Sequence, residues 1–103
     1  MKLVWTQEAI ERLFEIEDFI YAHSPGRARE FVEEIIEHAE TILPDTPSAG
    51  RMVPEIKNAG FRELIFKKYR IVYRVNENNI EILTVFEGHK LLRTEELKES
   101  ERK

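Results

Sequence analysis

FRELIFKKYRIVYRVNENNIEILTVF, residues Phe61 to Phe86, is the stretch that decides the fold. Its apolar residues recur at every second position, or nearly so, through Phe61–Phe66, Tyr69–Val75 and Ile80–Phe86. A period of two belongs to a strand, whose side chains point alternately to its two faces. Lys67-Lys68 separates the first two runs, and Asn76-Glu77-Asn78-Asn79, a strongly turn-prone tetrapeptide, separates the second and third. Connections this short join antiparallel neighbours, so the stretch reads as a three-stranded antiparallel meander.

Upstream of the meander, residues 44–60 contain Pro44, Pro47, Gly50, Pro54 and Gly60 and read as a long loop. Loops of that length in a small fold tend to be functional or mobile. Before the loop the period changes to that of a helix. Ala9, Leu13, Ile16 and Ile20 recur at three- and four-residue spacing, flanked by Ile10, Phe14 and Phe19, with Glu8, Glu11, Glu15 and Asp18 opposite. This predicts an amphipathic helix over residues 7–23, with Thr6 as its N-cap. His23-Ser24-Pro25-Gly26 breaks it. Ser24 can cap and Pro25 can open a second helix over 25–43, striped with Ala28, Phe31, Val32, Ile35, Ala39 and Ile42 and ended by Pro44. So short a connection makes the pair an antiparallel hairpin. Residues 2–5 read as a strand that joins the meander, and Thr94-Glu95-Glu96 as the cap of a short C-terminal helix. The expected architecture is α+β: residues 1–103 as one domain, with the hairpin on one face of a mostly antiparallel four-stranded sheet.

Composition narrows the function classes. Hydrophobic residues are 42% of the 103 and charged residues 35%, and there is no cysteine, which excludes disulfides and thiolate zinc sites. No apolar run approaches the roughly 18 residues of a membrane helix. The amino terminus reaches charge at Glu8, too early for a signal-peptide core, so the expectation is a cytoplasmic protein without a membrane role. The net charge of −4 is unevenly spread. Residues 1–50 carry four Lys/Arg against eleven Asp/Glu, or −7; residues 51–103 carry twelve against nine, or +3. The first half repels phosphate, and direct nucleic-acid binding is not expected.

Three stretches carry a family resemblance. Gly50-Arg51-Met52-Val53-Pro54-Glu55 followed by Phe61-Arg62-Glu63-Leu64-Ile65 resembles the ParE hallmark GR-x-x-PE … (Y/F)REL. Tyr69-Arg70-Ile71-Val72-Tyr73-Arg74 is similar to the YRI-x-Y strand of RelE and ParE toxins, and Ile82 to Lys90 resembles their closing IL-x-V-x-HG-x-R strand. In that last segment Glu87 stands where the histidine is usual, His89 follows Gly88, and Lys90 replaces the arginine, keeping its charge without its bidentate fork. The resemblance covers nearly the whole chain and implies the toxin of a type II toxin–antitoxin module, closest to the ParE branch. It implies inhibition of DNA gyrase, growth inhibition and plasmid stabilisation. It also implies neutralisation by a cognate antitoxin whose ParD/RelB-like C-terminal segment crosses an apolar groove between helices and sheet.

The alternative implied by the RelE branch is a ribosome-dependent mRNA endonuclease working without metal. That chemistry needs cations on the scissile phosphate and groups that move protons. Arg62 and Arg70 match expected positions, Lys90 sits near a third and His89 could serve as an acid or base, but Leu64 occupies the next cationic position, Glu63 adds negative charge, and the tail has no Tyr. The resemblance therefore favours the gyrase poison, with no catalytic residues, no cofactor and no metal, and with Arg51, Glu55, Arg62, Arg70, Tyr73 and Lys90 as target or partner contacts. A divergent member that only binds its antitoxin is the third reading. Plainer readings stand beside these. Arg51 and Glu55 can simply fix the loop by salt bridge and turn, Arg74 reads as solvated, and His89 as an exposed strand-end residue. His23 and His38 are too scattered to form a metal site with it.

Overall fold

The computed structural model describes residues 1–58 and 60–88. Its order is β1 (Lys2–Trp5), α1 (Gln7–His23), α2 (Ala28–Ile42), β2 (Arg51–Met52), β3 (Phe61–Phe66), β4 (Tyr69–Val75) and β5 (Asn79–Glu87). The strands form one sheet in the order β1-β5-β4-β3-β2. The meander is antiparallel as expected, and β1 lies parallel to β5, with Leu3 opposite Ile80 and Trp5 opposite Ile82. The sheet has five strands rather than four. Arg51 and Met52, expected in the loop, pair with Glu63 and Arg62 as a two-residue edge strand. Neither period nor propensity can mark so short a strand, since only its partner defines it.

The helices carry their expected stripes. Thr6 caps α1 by accepting the Ala9 N–H at 3.2 Å, while its hydroxyl donates to the Ile82 carbonyl at 2.7 Å. One side chain thus starts the helix and ties it to β5. The second helix begins at Ala28, not Pro25. Ser24 is spent as the C-cap of α1, its N–H donating to Ile20 at 2.7 Å, and Arg27 folds back onto the Ser24 carbonyl at 2.9 Å. Residues 25–27 are consumed by that turn. The C-terminal helix expected from Thr94, with His89 and Lys90, lies outside the described residues.

Two apolar clusters sandwich the sheet. Ala9, Leu13, Ile16, Ile35, Ala39 and Leu43 pack from the helices onto Leu64, Ile71, Tyr73, Ile80, Ile82 and Val85. The other face gathers Phe61, Val72 and Leu83 beneath Val53 and Ile56 of the loop. Assignment to two faces hinges on a bulge in β5. Val72 pairs with Thr84 but Tyr73 pairs with Ile82, so Leu83 is the extra residue. A bulge reverses the alternation. Ile80 and Ile82 face the helices before it and Val85 after it, which is why the apolar pattern of β5 is only nearly alternating. Ile35 is fully buried at the centre of the helix-side cluster. Ile35→Ala should destabilise the fold by about 2–5 kcal/mol in equilibrium denaturation, through lost transfer energy and the cavity left behind.

Candidate functional site

The loop from Pro44 to Gly60 is anchored to the sheet at two points, one for each face. On the face away from the helices, Glu63 of β3 is completely buried and accepts two guanidinium groups. Arg51 Nε donates to its Oε2 at 2.6 Å, and Arg70 Nε donates to its Oε1 at 2.6 Å. Arg70 then forks onto Glu55, with Nη1 to Oε2 at 2.9 Å and Nη2 to Oε1 at 2.7 Å. Its guanidinium lies over the Phe86 ring at 4.8 Å from the centroid. A buried charge is tolerable only when paired and hydrogen-bonded, and here two carboxylates and two guanidinium groups satisfy one another. The fork onto Glu55 outweighs burial and holds the Arg70 pKa above the ordinary arginine value.

On the helix side, Tyr73 of β4 is buried and its hydroxyl bridges the loop. It accepts the Gly50 N–H at 2.8 Å and donates to the Pro47 carbonyl at 2.7 Å. Burial raises its phenol pKa above the ordinary range. Arg62 completes the clamp, with Nη1 on the Gly50 carbonyl at 2.8 Å. Gly50 is required by space rather than by dihedral angle. A Cβ there would lie 2.6 Å from both the Glu63 carbonyl oxygen and the Tyr73 hydroxyl.

This geometry assigns a place to each expected site residue among the described ones; His89 and Lys90 lie outside them. Arg51 and Glu55 do form salt bridges, though with Glu63 and Arg70 of the strands. Arg70 is 6% exposed and Tyr73 fully buried, each turned to neighbours within the fold. Arg51 remains largely exposed and Arg62 half-buried. Arg74, expected in solvent, is half-buried against Glu81 at 2.6 Å and lies over the Phe61 ring. Arg62 and Arg70 stand on opposite faces of the sheet. Arg62 is in register with Tyr73 on the helix side, whereas Arg70 is in register with Ile65 and Phe86 on the other. They do not converge on one phosphate, and Leu64 between them is core.

Sequence reasoning missed Glu63, which it read as unwelcome negative charge. Parity was the available signal, because Glu63 shares its face with Phe61 and Ile65, not with Arg62. Two cavities open beside the helices: one of about 310 Å³ between α1 and α2, beside Trp5, and one of about 400 Å³ between α2 and the end of β3, lined by His38, Ile42 and Phe66.

Known proteins place this arrangement. The profile of the family described as "ParE toxin of type II toxin-antitoxin system, parDE" matches residues 3–92. A chain of the chromosomal ParDE toxin–antitoxin system of P. aeruginosa is similar, at 27% identity and a TM-score of 0.73, covering 84% of this chain and 95% of that one. The toxin–antitoxin complex RelBE2 from Mycobacterium tuberculosis contains a chain of the same fold, at 20% identity and a TM-score of 0.62 with the same coverage. No curated protein sequence gives a significant match.

Glu63→Gln should cost about 3–5 kcal/mol, since it leaves two guanidinium groups facing a neutral amide in a buried site; urea denaturation measures it. Acid should remove a second contribution. Arg74 and Asn76 hydrogen bonds lower the Glu81 pKa below its ordinary value, so this group stabilises the fold at neutral pH. That contribution is lost as pH falls through the depressed folded value, because the unfolded chain binds the proton first. Unfolding midpoints measured against pH should therefore fall less steeply in acid for Arg74→Ala than for the parent.

Proposed function

The chain belongs to the ParE toxin family of type II toxin–antitoxin systems, within the RelE/ParE superfamily, and from that premise we propose that it inhibits DNA gyrase and is neutralised by a cognate antitoxin. One observation carries the choice of gyrase over the ribosome. The two cations of β3 and β4 that a metal-free nuclease would turn toward a phosphate lie on opposite sides of the sheet, and Arg70 is already neutralised by Glu55 and Glu63. A transition state with growing phosphate charge needs donors aimed at it and free of other partners, and losing one such donor costs about a hundredfold or more. The helices, moreover, carry ten carboxylates against two arginines, a surface that repels an RNA backbone.

On this reading the loop and its anchors form a rigid platform rather than a reaction centre. Arg51 and Arg62 are the cations it presents, and Met52 and Ile65 the exposed apolar residues beside them. Lys90, outside the described residues, is the further contact expected on the gyrase. Glu55, Arg70 and Tyr73 act through the platform, as positioning residues. The antitoxin reading is supported by the P. aeruginosa and M. tuberculosis chains, both of which come from toxin–antitoxin systems.

In a supercoiling assay the purified protein should inhibit gyrase, and an Arg51→Ala/Arg62→Ala variant that keeps its folded circular dichroism should inhibit it less. Translating ribosomes supplied with the protein should yield no mRNA fragments. Codon-specific cuts that disappear in the double variant would promote the endonuclease reading, and full supercoiling at saturating protein would remove the gyrase reading.

A further inference from the structure

The described residues end at Gly88, close to the cavity between α2 and β3. Gly88 donates its N–H to the Lys68 carbonyl at 2.6 Å, so the chain leaves β5 beside the β3–β4 turn. On the helix side of the sheet, Glu87 is in register with Tyr69 and Tyr69 with Phe66. Phe66 and Ile42 are the apolar bed of the cavity, which measures about 400 Å³. The His38 ring lies against Phe66 with centroids 4.9 Å apart, and Lys67 Nζ stands 5.5 Å from the same ring. Glu34 and Glu37 border the opening. Glu34 has Lys67 at 3.6 Å, whereas Glu37 is exposed and meets no cation among the described residues.

The sequence that follows Gly88 fits this opening. His89-Lys90-Leu91-Leu92-Arg93 sets two adjacent leucines before an arginine. Phe66 lies two strands from β5, or about 10 Å at the usual spacing of neighbouring strands. An extended chain advances about 3.3–3.6 Å per residue, so three residues beyond Gly88 cover that distance. Leu91 is the third of them, and Leu91 and Leu92 are the first apolar residues after Phe86. On the other face this end of the sheet is taken up by Arg70, which lies on Phe86 and forks onto Glu55. A short tether holds its segment at about millimolar local concentration, an advantage no separate molecule shares. Charge agrees, since a second copy would bring acidic helices to Glu37, and this segment brings Arg93.

We propose that residues 91–93 of this chain seat in the α2/β3 cavity, with Leu91 and Leu92 against Phe66 and Ile42 and with Arg93 paired to Glu37. The seat covers apolar surface that the helices and sheet leave open, and it fixes the segment that carries Lys90. Glu34 is already engaged by Lys67, so Lys90, which spans the gap between sheet and anchor, keeps its charge at the surface. The inference stands apart from the gyrase and antitoxin readings and does not rest on either.

The chain has no cysteine, so introduced pairs report proximity without background. In the full chain, Glu37→Cys/Arg93→Cys should close an intramolecular disulfide in oxidised glutathione. Ile65→Cys/Arg93→Cys is the control. Ile65 is 44% exposed and adjoins Phe66 on β3, but it faces the other side of the sheet, so it lies within the same reach and off the seat. The first pair should close at least about tenfold faster, read by mass spectrometry and by mobility on non-reducing gels. Adding Leu91→Ser/Leu92→Ser should abolish that difference. The same leucine substitutions in the cysteine-free chain should move the His38 ring resonances and lower the unfolding midpoint. Circular dichroism checks that each variant folds. Equal closure of the two pairs, or a difference that survives loss of the leucines, would overturn the proposal. A covalent dimer in place of the intramolecular bond would seat the segment on a second copy and overturn it too. His38 resonances unmoved by the leucine substitutions would overturn it without reference to the cysteines.

Discussion

Everything on the far face of this sheet depends on one buried carboxylate. Glu63 has no contact with solvent, so it can stay ionised only by collecting donors, and it collects them from both directions along the chain. Arg51 arrives from the loop and Arg70 from the neighbouring strand, and Arg70 passes the constraint on to Glu55. The loop therefore cannot lift from the sheet without exposing an apolar patch and parting buried charges together. Such networks are high-stakes: complete, they select one arrangement, and with any member missing they cost more than an apolar core would. The same loop is pinned from the other side by Tyr73, whose hydroxyl serves Gly50 and Pro47 at once.

This double anchorage gives the family hallmark a physical meaning. In GR-x-x-PE, the glycine is where a Cβ has no room, and the arginine and glutamate are two corners of the ion network. In REL, the arginine holds the Gly50 carbonyl, the glutamate is the hub and the leucine is core. The hallmark thus describes how a loop is fastened. It describes chemistry only indirectly, through the exposed cations that the fastening leaves at the edge of the sheet.

The two halves of the molecule divide the work by charge. The helices are acidic, and between them lies an apolar groove bordered by Glu17 and Glu40. The strands and loop carry the excess of cations, most of them spent on neighbours. The function proposed above, with one partner that restrains the protein and another that is its target, needs two separate surfaces, and this charge division supplies surfaces of different chemistry on opposite elements of the fold.

Local periodicity alone settled the elements. The stripes at three and four residues placed the hairpin, the alternation placed the meander, and the loop's prolines and glycines bounded it. The resemblance of three stretches in register then identified the family. These features are legible because each depends on residues close in sequence. The rest depends on which distant residue each group meets. The two-residue strand at Arg51–Met52 exists only because Glu63 and Arg62 lie beside it. The parallel pairing of β1 with β5 needed the full crossover. Arg62 and Arg70 look like one cationic set in sequence, yet strand parity across the β3/β4 hairpin assigns them to opposite faces. Glu63 looks like a misplaced charge until folding brings Arg51 and Arg70 to its two oxygens. A period says where a side chain points, and only the tertiary fold decides what it finds there.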